Sequence, residues 1–289
     1  MKKYRSLLFW VLALIITASS AYYQRRTGPT KPVVDTSLVA GAEVSYRLIR
    51  SFHRPADAPV RIQVEDRDVK GYYRFKRYPS HDQWQEMQLE RQDDMLVAYI
   101  PQQPAAGKVM YQIYLQKDRE KISLTEEPIV IRFRNDVPAW AMIPHIILMF
   151  LAMLWSIRSG IAAAFKEKTR TLTLTTFLLL IGGGLIFGPI VQKFAFGDYW
   201  TGWPFGTDLT DNKTAVAVIF WLAALVRTWQ KPCHRTMVLV ASVVLFLVYM
   251  IPHSLLGSEI DWTDEEAVKA LEMSSLPTAP ACFKYPGHF

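Results

Sequence analysis

Five apolar stretches separated by charged loops constrain this chain more than any other feature. They cover residues 7–23, 139–157, 172–191, 214–229 and 237–256. A helix needs about 20 consecutive, mostly apolar residues to cross a bilayer core. In hydrocarbon only a helix or a closed barrel satisfies its own backbone. The pattern therefore predicts a membrane α-helical bundle of about five spans. Residues 35–135 interrupt it with a polar, charge-rich segment long enough for one small domain, which predicts a water-soluble module beside the bundle.

Charge placement orders the spans. The net charge is +7, and many of the cations sit in short segments beside apolar stretches. Lys2, Lys3 and Arg5 precede the first stretch; Arg158, Lys166, Lys168 and Arg170 follow the second; Arg227, Lys231 and Arg235 follow the fourth. Cytoplasmic loops carry the excess of Lys and Arg, so these three regions are assigned to the cytoplasmic face. Residues 30–135, the loop 194–213 and the acidic tail with Glu259, Asp261, Asp264, Glu265 and Glu266 then fall outside. Arg25 and Arg26 run against the rule. The expected organisation is an anchor and linker (1–34), an outer domain (35–136), a four-helix transmembrane part (137–257) and a tail (258–289), with the N-terminus cytoplasmic and the C-terminus periplasmic. The first span reads as an uncleaved anchor, because its apolar character continues through Tyr22 and Tyr23. Ser19-Ser20-Ala21 does resemble a signal-peptidase site, and cleavage there would leave the outer domain on the same side.

Several functional classes find no support. There is no zinc-finger or helix-turn-helix spacing and no basic face interleaved with aromatics, so no nucleic-acid partner is expected. The expected partners are membrane lipid and a membrane-protein or periplasmic subunit. Cys233 and Cys282 fall on opposite sides of the predicted membrane and should not pair. No Gly-rich phosphate loop, G-x-S-x-G or H-E-x-x-H occurs, and no catalytic residue is indicated.

Within the outer segment, residues 44–49, 60–65, 72–78, 95–100, 109–116 and 129–133 alternate or carry β-branched side chains. Turn signals at Pro79-Ser80, Asp93-Asp94 and Pro104-Ala105-Ala106-Gly107 separate them. Short strands at this spacing predict an all-β sandwich. The stretch AYIPQQPAAGKVMYQIYL (98–115) resembles the strand–turn–strand segment of fibronectin type III and immunoglobulin-like domains, with Tyr111 at the position of the aromatic in the second strand. Pro138 follows closely on the last strand, so the domain should sit almost on the membrane, over the mouth of the bundle.

Two features point to chemistry. The tetrapeptide Met-Ile-Pro-His occurs twice, at 142–145 and 250–253. Ionisable residues inside a membrane are costly and mark functional sites. His145 and His253 are expected at similar depths below the outer interface, where facing histidines suit the axial positions of a b-type haem, a metal or a quinone site. Each preceding proline frees a carbonyl four residues back, Trp140 or Val248, and a kink there would widen the mouth. The structural alternative is that each His hydrogen-bonds a neighbouring carbonyl.

The second feature is the loop 196–214, with Asp198, Asp208, Asp211, Lys213, Trp200 and Trp203. Its carboxylates could bind a cation such as Ca²⁺. Alternatively, Thr210 or Asp211 caps the fourth span while Trp200, Trp203 and Phe205 anchor at the interface. A third reading makes it a re-entrant loop covering the mouth beside His145 and His253. Gly184 and Gly188 lie four apart on one helix face and predict close helix packing, within the bundle or in a dimer.

The segments TGPTKP (27–32), LTEEPIVIRF (124–133), GPIVQKFAFGDYWTGWPFGTDLTDNKTAVA (188–217) and IPHSLLGSEIDW (251–262) together resemble a family of bacterial inner-membrane proteins with no assigned activity. The resemblance implies that location and transfers no catalytic residue. Two expectations follow: a non-enzymatic binding or assembly subunit with its β-domain outside, or a haem b electron-transfer subunit ligated by His145 and His253. A transporter is a weaker third, since the five stretches show no inverted repeat and no Asp or Glu lies inside them.

Overall fold

The computed structural model describes residues 2–39, 41–231, 235–252, 257 and 259–264. Eleven strands form two sheets between the first helix and the rest. The strands are β1 (Val33–Val39), β2 (Ala42–Leu48), β3 (Ser51–His53), β4 (Ala58–Gln63), β5 (Lys70–Tyr78), β6 (Gln85–Gln88), β7 (Glu90–Gln92), β8 (Met95–Ile100), β9 (Lys108–Lys117), β10 (Glu120–Ser123) and β11 (Ile129–Arg134). One sheet has the order β1-β2-β4-β8-β7; the other is β3-β11-β9-β5-β6, with β10 also on β9. Only β3 and β11 among these pair in parallel.

Period-2 patterning builds the core. Val44, Tyr46 and Leu48 of β2 and Val60 and Ile62 of β4 face Val109, Tyr111, Ile113 and Leu115 of β9 and Ile131 and Phe133 of β11, all buried. Three tyrosine hydroxyls reach across to the opposite sheet's chain. Tyr46 donates to the Leu124 carbonyl, Tyr73 to that of Tyr99 and Tyr111 to that of Ile49, each at 2.9 Å. A buried phenol needs such a partner, and here the partners lock the two layers together without a disulfide. All six predicted strands are present. The five not predicted are short or lie at edges: β1 is exposed along most of its length and β6 along all of it, so neither shows alternation. The sheet begins at Val33, two residues before the predicted boundary.

The helices are α1 (Lys2–Thr27), α2 (Ala139–Ala164), α3 (Arg170–Leu180), α4 (Gly188–Phe196), α5 (Leu209–Gln230) and α6 (Thr236–Met250). A π-helical segment, Ile181–Phe187, joins α3 to α4 in one continuous rod. Among the described residues four helices, Tyr4–Thr27, Ala139–Ala164, Arg170–Phe196 and Leu209–Gln230, are long and apolar enough to cross a membrane; Thr236–Met250 is apolar but shorter. Its 15 residues rise roughly 22 Å.

The ends of the helices depart from expectation in instructive ways. The short apolar stretch at the N-terminus lies in a 26-residue helix. Helix α5 starts five residues early, which brings Asp211 and Lys213 into its first turns. Helix α6 stops at Met250, and Ile251 is extended (φ −71, ψ 119). Pro252 accounts for this, since a residue before proline is driven out of the α region. Pro144 does lie inside α2. The two Met-Ile-Pro-His copies therefore differ: the first is helical, while the second straddles a helix end. The expected release of the Val248 carbonyl by an in-helix proline does not occur.

Contacts at the two ends show that successive helices run antiparallel. At one end Glu167 accepts from Arg5 and from Arg158, each at 3.0 Å. Burial alone would raise this carboxyl, but the Arg158 and Arg5 guanidiniums outweigh it and hold it below its usual value. At the other end Gln24 reaches the Ile251 carbonyl (3.4 Å), and the Asn135 N–H bonds the Ala195 carbonyl (3.0 Å), seating the sandwich on α4.

Candidate functional site

The π-helical segment explains how His145 is held. Its sequence, Ile-Gly-Gly-Gly-Leu-Ile-Phe, precedes Gly188-Pro189. Pro189 has no N–H for an i→i−4 bond, and glycines tolerate the wider turn. Gly188 N–H bonds the Gly183 carbonyl five residues back. That carbonyl also receives Nδ1 of His145 at 2.9 Å. His145 therefore does bond a neighbouring carbonyl. The glycines pack within the bundle: a Cβ on Gly183 would lie 3.0 Å from the Leu148 Cβ of α2, and one on Gly184 would lie 2.9 Å from Thr214 of α5. Gly188 faces His145. Gly184 also meets Met149 of α2 at 3.8 Å, so both glycines pack against that helix, within the bundle.

The loop before α5 is a closed hydrogen-bonded knot. Asp208 is the N-cap; its carboxylate accepts from the N–H groups of Thr210 (2.6 Å) and Asp211 (3.3 Å). Neither Thr210 nor Asp211 caps the helix. Asp211 Oδ2 instead accepts from Thr201 N (2.6 Å), Gly202 N (3.0 Å) and Gln192 Nε2 (3.1 Å). Asn212 Oδ1 accepts from Trp203 N at 2.7 Å, and Trp200 Nε1 donates to the Trp203 carbonyl at 3.1 Å. A Cβ on Gly202 would lie 2.6 Å from that of Asp211, and one on Gly206 would lie 2.4 Å from the Thr201 carbonyl oxygen. The WTGWPFG segment thus needs glycine where it has it. Asp198 is exposed, as are Trp203 and Phe205, while Trp200 is half-buried. Among the described residues no group of three or more His, Cys, Asp or Glu is placed to hold a metal ion.

Lys213 is buried and points across to α6. Its ammonium donates to the carbonyls of Ile251 (2.8 Å) and Pro252 (3.5 Å), capping the end that Pro252 creates. His253, the other expected ligand, lies outside the described residues, as do Cys233 and Cys282.

These elements enclose a cavity of about 460 Å³ beneath the sandwich. Its lower walls are Met142, Ile146, Met149 and Phe150 of α2 with Val191 of α4. Its ceiling carries Arg132 and Arg134 of β11, and Asp208, Asp211, Gln192 and His145 lie around it. Arg132 is only 7% exposed and stacks its guanidinium 4.0 Å from the Phe196 ring centroid. Burial pushes Arg132 down to about 10, against the opposing pull of Asp208 and Glu259, so it stays charged at neutral pH. Arg134 donates to His53 Nε2 at 2.8 Å, and His53 bonds Asp136 through its other nitrogen. Sequence reasoning missed both arginines, because alternation in a strand does not show that the outward face will be roofed over by a helix end. The segment after α6 returns to the sandwich: Glu259 pairs with Lys108, and the Trp262 ring lies under Arg77 while the Trp262 backbone N–H donates to the Pro79 carbonyl (3.1 Å).

A second concavity, of about 460 Å³, lies on the sandwich edge around Arg67, Lys70 and Arg91. Arg91 there is committed to the carbonyls of Val64, Asp66 and Val69, so that hollow is a strand-edge clasp. In comparisons with known proteins, no family model, no curated protein and no solved structure matches the chain.

Proposed function

We propose that the chain is a five-span protein of the bacterial inner membrane, N-terminus cytoplasmic, that acts as a non-enzymatic binding or assembly subunit with its β-sandwich outside. One observation carries this reading: the cavity at the junction combines apolar walls with a charged ceiling, and its carboxylates accept from backbone N–H groups. Pockets of this size and lining are the usual place for a bound ligand. The cationic groups Arg5, Arg158, Lys166, Lys168 and Arg170 gather at the end away from the sandwich, which supports the orientation. The order β2-β4-β8-β7 over β11-β9-β5 corresponds to the ABED and GFC sheets of an immunoglobulin-like domain, which supports that reading of the outer module.

The haem reading keeps one specific support. A carbonyl only accepts, so His145 Nδ1 carries the hydrogen and Nε2 keeps its lone pair, as in histidines that ligate metals. A visible spectrum of the detergent-purified protein, oxidised and dithionite-reduced, decides between the two. A stoichiometric reduced α-band lost in His145→Ala establishes the haem subunit. A flat spectrum from haem-replete cells leaves the binding subunit. Protease cleavage of the sandwich from the periplasmic side of spheroplasts is expected; protection there would overturn the orientation.

A further inference from the structure

The cavity's chemistry is split along its height. The lower part, from Met142 down to Phe150, offers only side chains of hydrocarbon, sulfur and aromatic character on α2, apart from His145. Ile146 lines the cavity and is 56% exposed, beside Ile143 and Ile147 of α2, which are exposed without lining it. In a bilayer that surface meets acyl chains, so the cavity has an apolar flank toward lipid. At the top, Arg132 and Arg134 stand two apart on β11, on one face of the strand. Arg134 Nε is buried and makes no hydrogen bond. Arg54 adds a third guanidinium nearby, bonded to Asn135 at 3.2 Å.

Two carboxylates, Asp208 and Asp211, line the same cavity, and the Asp208 charge acts on Arg132. Asp208 Oδ1 and Asp211 Oδ2 each also accept from backbone N–H donors, at the α5 terminus and the WTG turn, which fixes where these carboxylates stand. Guanidinium groups match tetrahedral oxyanions in geometry and bind them even at an interface. A ligand that suits both halves has a long apolar chain and a phosphate at its end.

On the reading of this chain as a membrane protein with its sandwich outside, we propose that the cavity binds one lipid phosphate, its phosphoryl group on Arg132 and Arg134 and its chain along Met142, Ile146, Met149 and Phe150. That chemistry has two sources in a bacterial membrane, a diacyl phospholipid (a phosphodiester) and a polyprenyl phosphate carrier (a monoester). The protein holds the lipid without breaking a bond.

The test is mass spectrometry of lipids retained by the full chain after extensive detergent exchange, beside the variants Arg132→Gln and Ile146→Trp. The first removes the charge. The second fills the apolar flank from an exposed position and leaves the ceiling intact. About one phosphorylated lipid per wild-type chain is expected, with roughly tenfold less in each variant. Its mass identifies the source. Wild type carrying no phosphorylated lipid, or wild type and both variants retaining equal amounts as a non-specific annulus would, overturns the proposal. Failure of the underlying reading looks different: a chain that remains soluble without detergent would defeat membrane insertion itself. Should Arg132→Gln not fold, Ile146→Trp alone decides.

Discussion

Nδ1 of His145 in α2 lies 2.9 Å from the carbonyl oxygen of Gly183 in the π-helical turn, an oxygen that also accepts from Gly188 N–H. The bond ties the histidine's ring to the place where the rod from α3 to α4 departs from α geometry. It settles the tautomer, because a carbonyl has no hydrogen to give. Replacing His145 by Ala is expected to cost about 1–3 kcal/mol, from the lost bond and the space left beside Gly188. Denaturant unfolding in mild detergent measures it. Stability unchanged within about 0.3 kcal/mol would show that the turn holds itself without the ring.

Asp211 and Asp208 are expected to separate in kind. Asp208→Ala removes an N-cap and should cost about 1 kcal/mol. Asp211→Ala strips the shared acceptor from the Thr201 and Gly202 N–H groups together, while Gln192 Nε2 keeps Thr201 Oγ1, and a buried donor left unsatisfied costs about 1–3 kcal/mol. Asp211→Ala should therefore be the more damaging of the two, with Asp211→Asn recovering part of the loss. Equal effects in thermal unfolding would argue that the knot is dispensable.

The glycines of the same loop give a steric counterpart. A methyl group at Gly202 meets Asp211 Cβ at 2.6 Å, and one at Gly206 meets a backbone oxygen at 2.4 Å. Gly41, with φ +79 and nothing within 4 Å, would be strained by conformation alone. Gly202→Ala and Gly206→Ala should each cost about 1–3 kcal/mol by forcing backbone to move, and Gly41→Ala about 1 kcal/mol. Unfolding midpoints of the three variants rank them. A Gly206→Ala protein as stable as wild type would mean that the loop relaxes freely.

What could be read in the sequence was what local patterning controls. The six longest internal strands announced themselves by alternating side chains, and the rod-like helices by their apolar length. Edge strands did not, since β6 buries neither face. The candidate site was legible only in part. Asp208, Asp211, Lys213, Trp200, Trp203 and His145 all belong to the junction region, but their roles depend on partners far along the chain. Lys213 acts on Ile251, and Asp211 acts on Thr201 through a turn whose shape no periodicity encodes. Arg132 is the clearest omission. Alternation along β11 turns it away from the sandwich core, and the Phe196 ring of α4 stacked on its guanidinium helps to bury it.

Lys213 offers a cross-helix test of that long-range coupling. Its ammonium is a partner of the Ile251 carbonyl, left open because Pro252 ends α6. Lys213→Met keeps the length of the side chain and removes the donor. A loss of about 1–3 kcal/mol is expected, since the Ile251 carbonyl then keeps only the longer bond from Gln24 (3.4 Å), with faster amide hydrogen exchange confined to the last turn of α6. Uniform exchange across both helices would place the role of Lys213 elsewhere.

The outer module carries a pH dependence whose direction follows from one ion pair. Arg77 holds Asp82 in a two-pronged bond, Nε to Oδ2 at 2.7 Å and Nη2 to Oδ1 at 2.9 Å. That guanidinium keeps the Asp82 carboxyl below the ordinary value of 3.8, while partial burial works in the other direction. A carboxyl depressed in the folded state binds its proton more readily when unfolded. Its stabilisation is therefore complete above the unfolded value and is lost as pH falls through the folded one. The pair is partly exposed, so its contribution is modest, about 0.5–1 kcal/mol. Asp82→Asn should be less stable than wild type at pH 7, and the difference should shrink below about pH 4. Thermal midpoints of the full chain between pH 7 and pH 2.5 measure the gap. A gap that stays constant over that range would show that Arg77 contributes through its stacking on Trp262 at 4.5 Å rather than through its charge on Asp82.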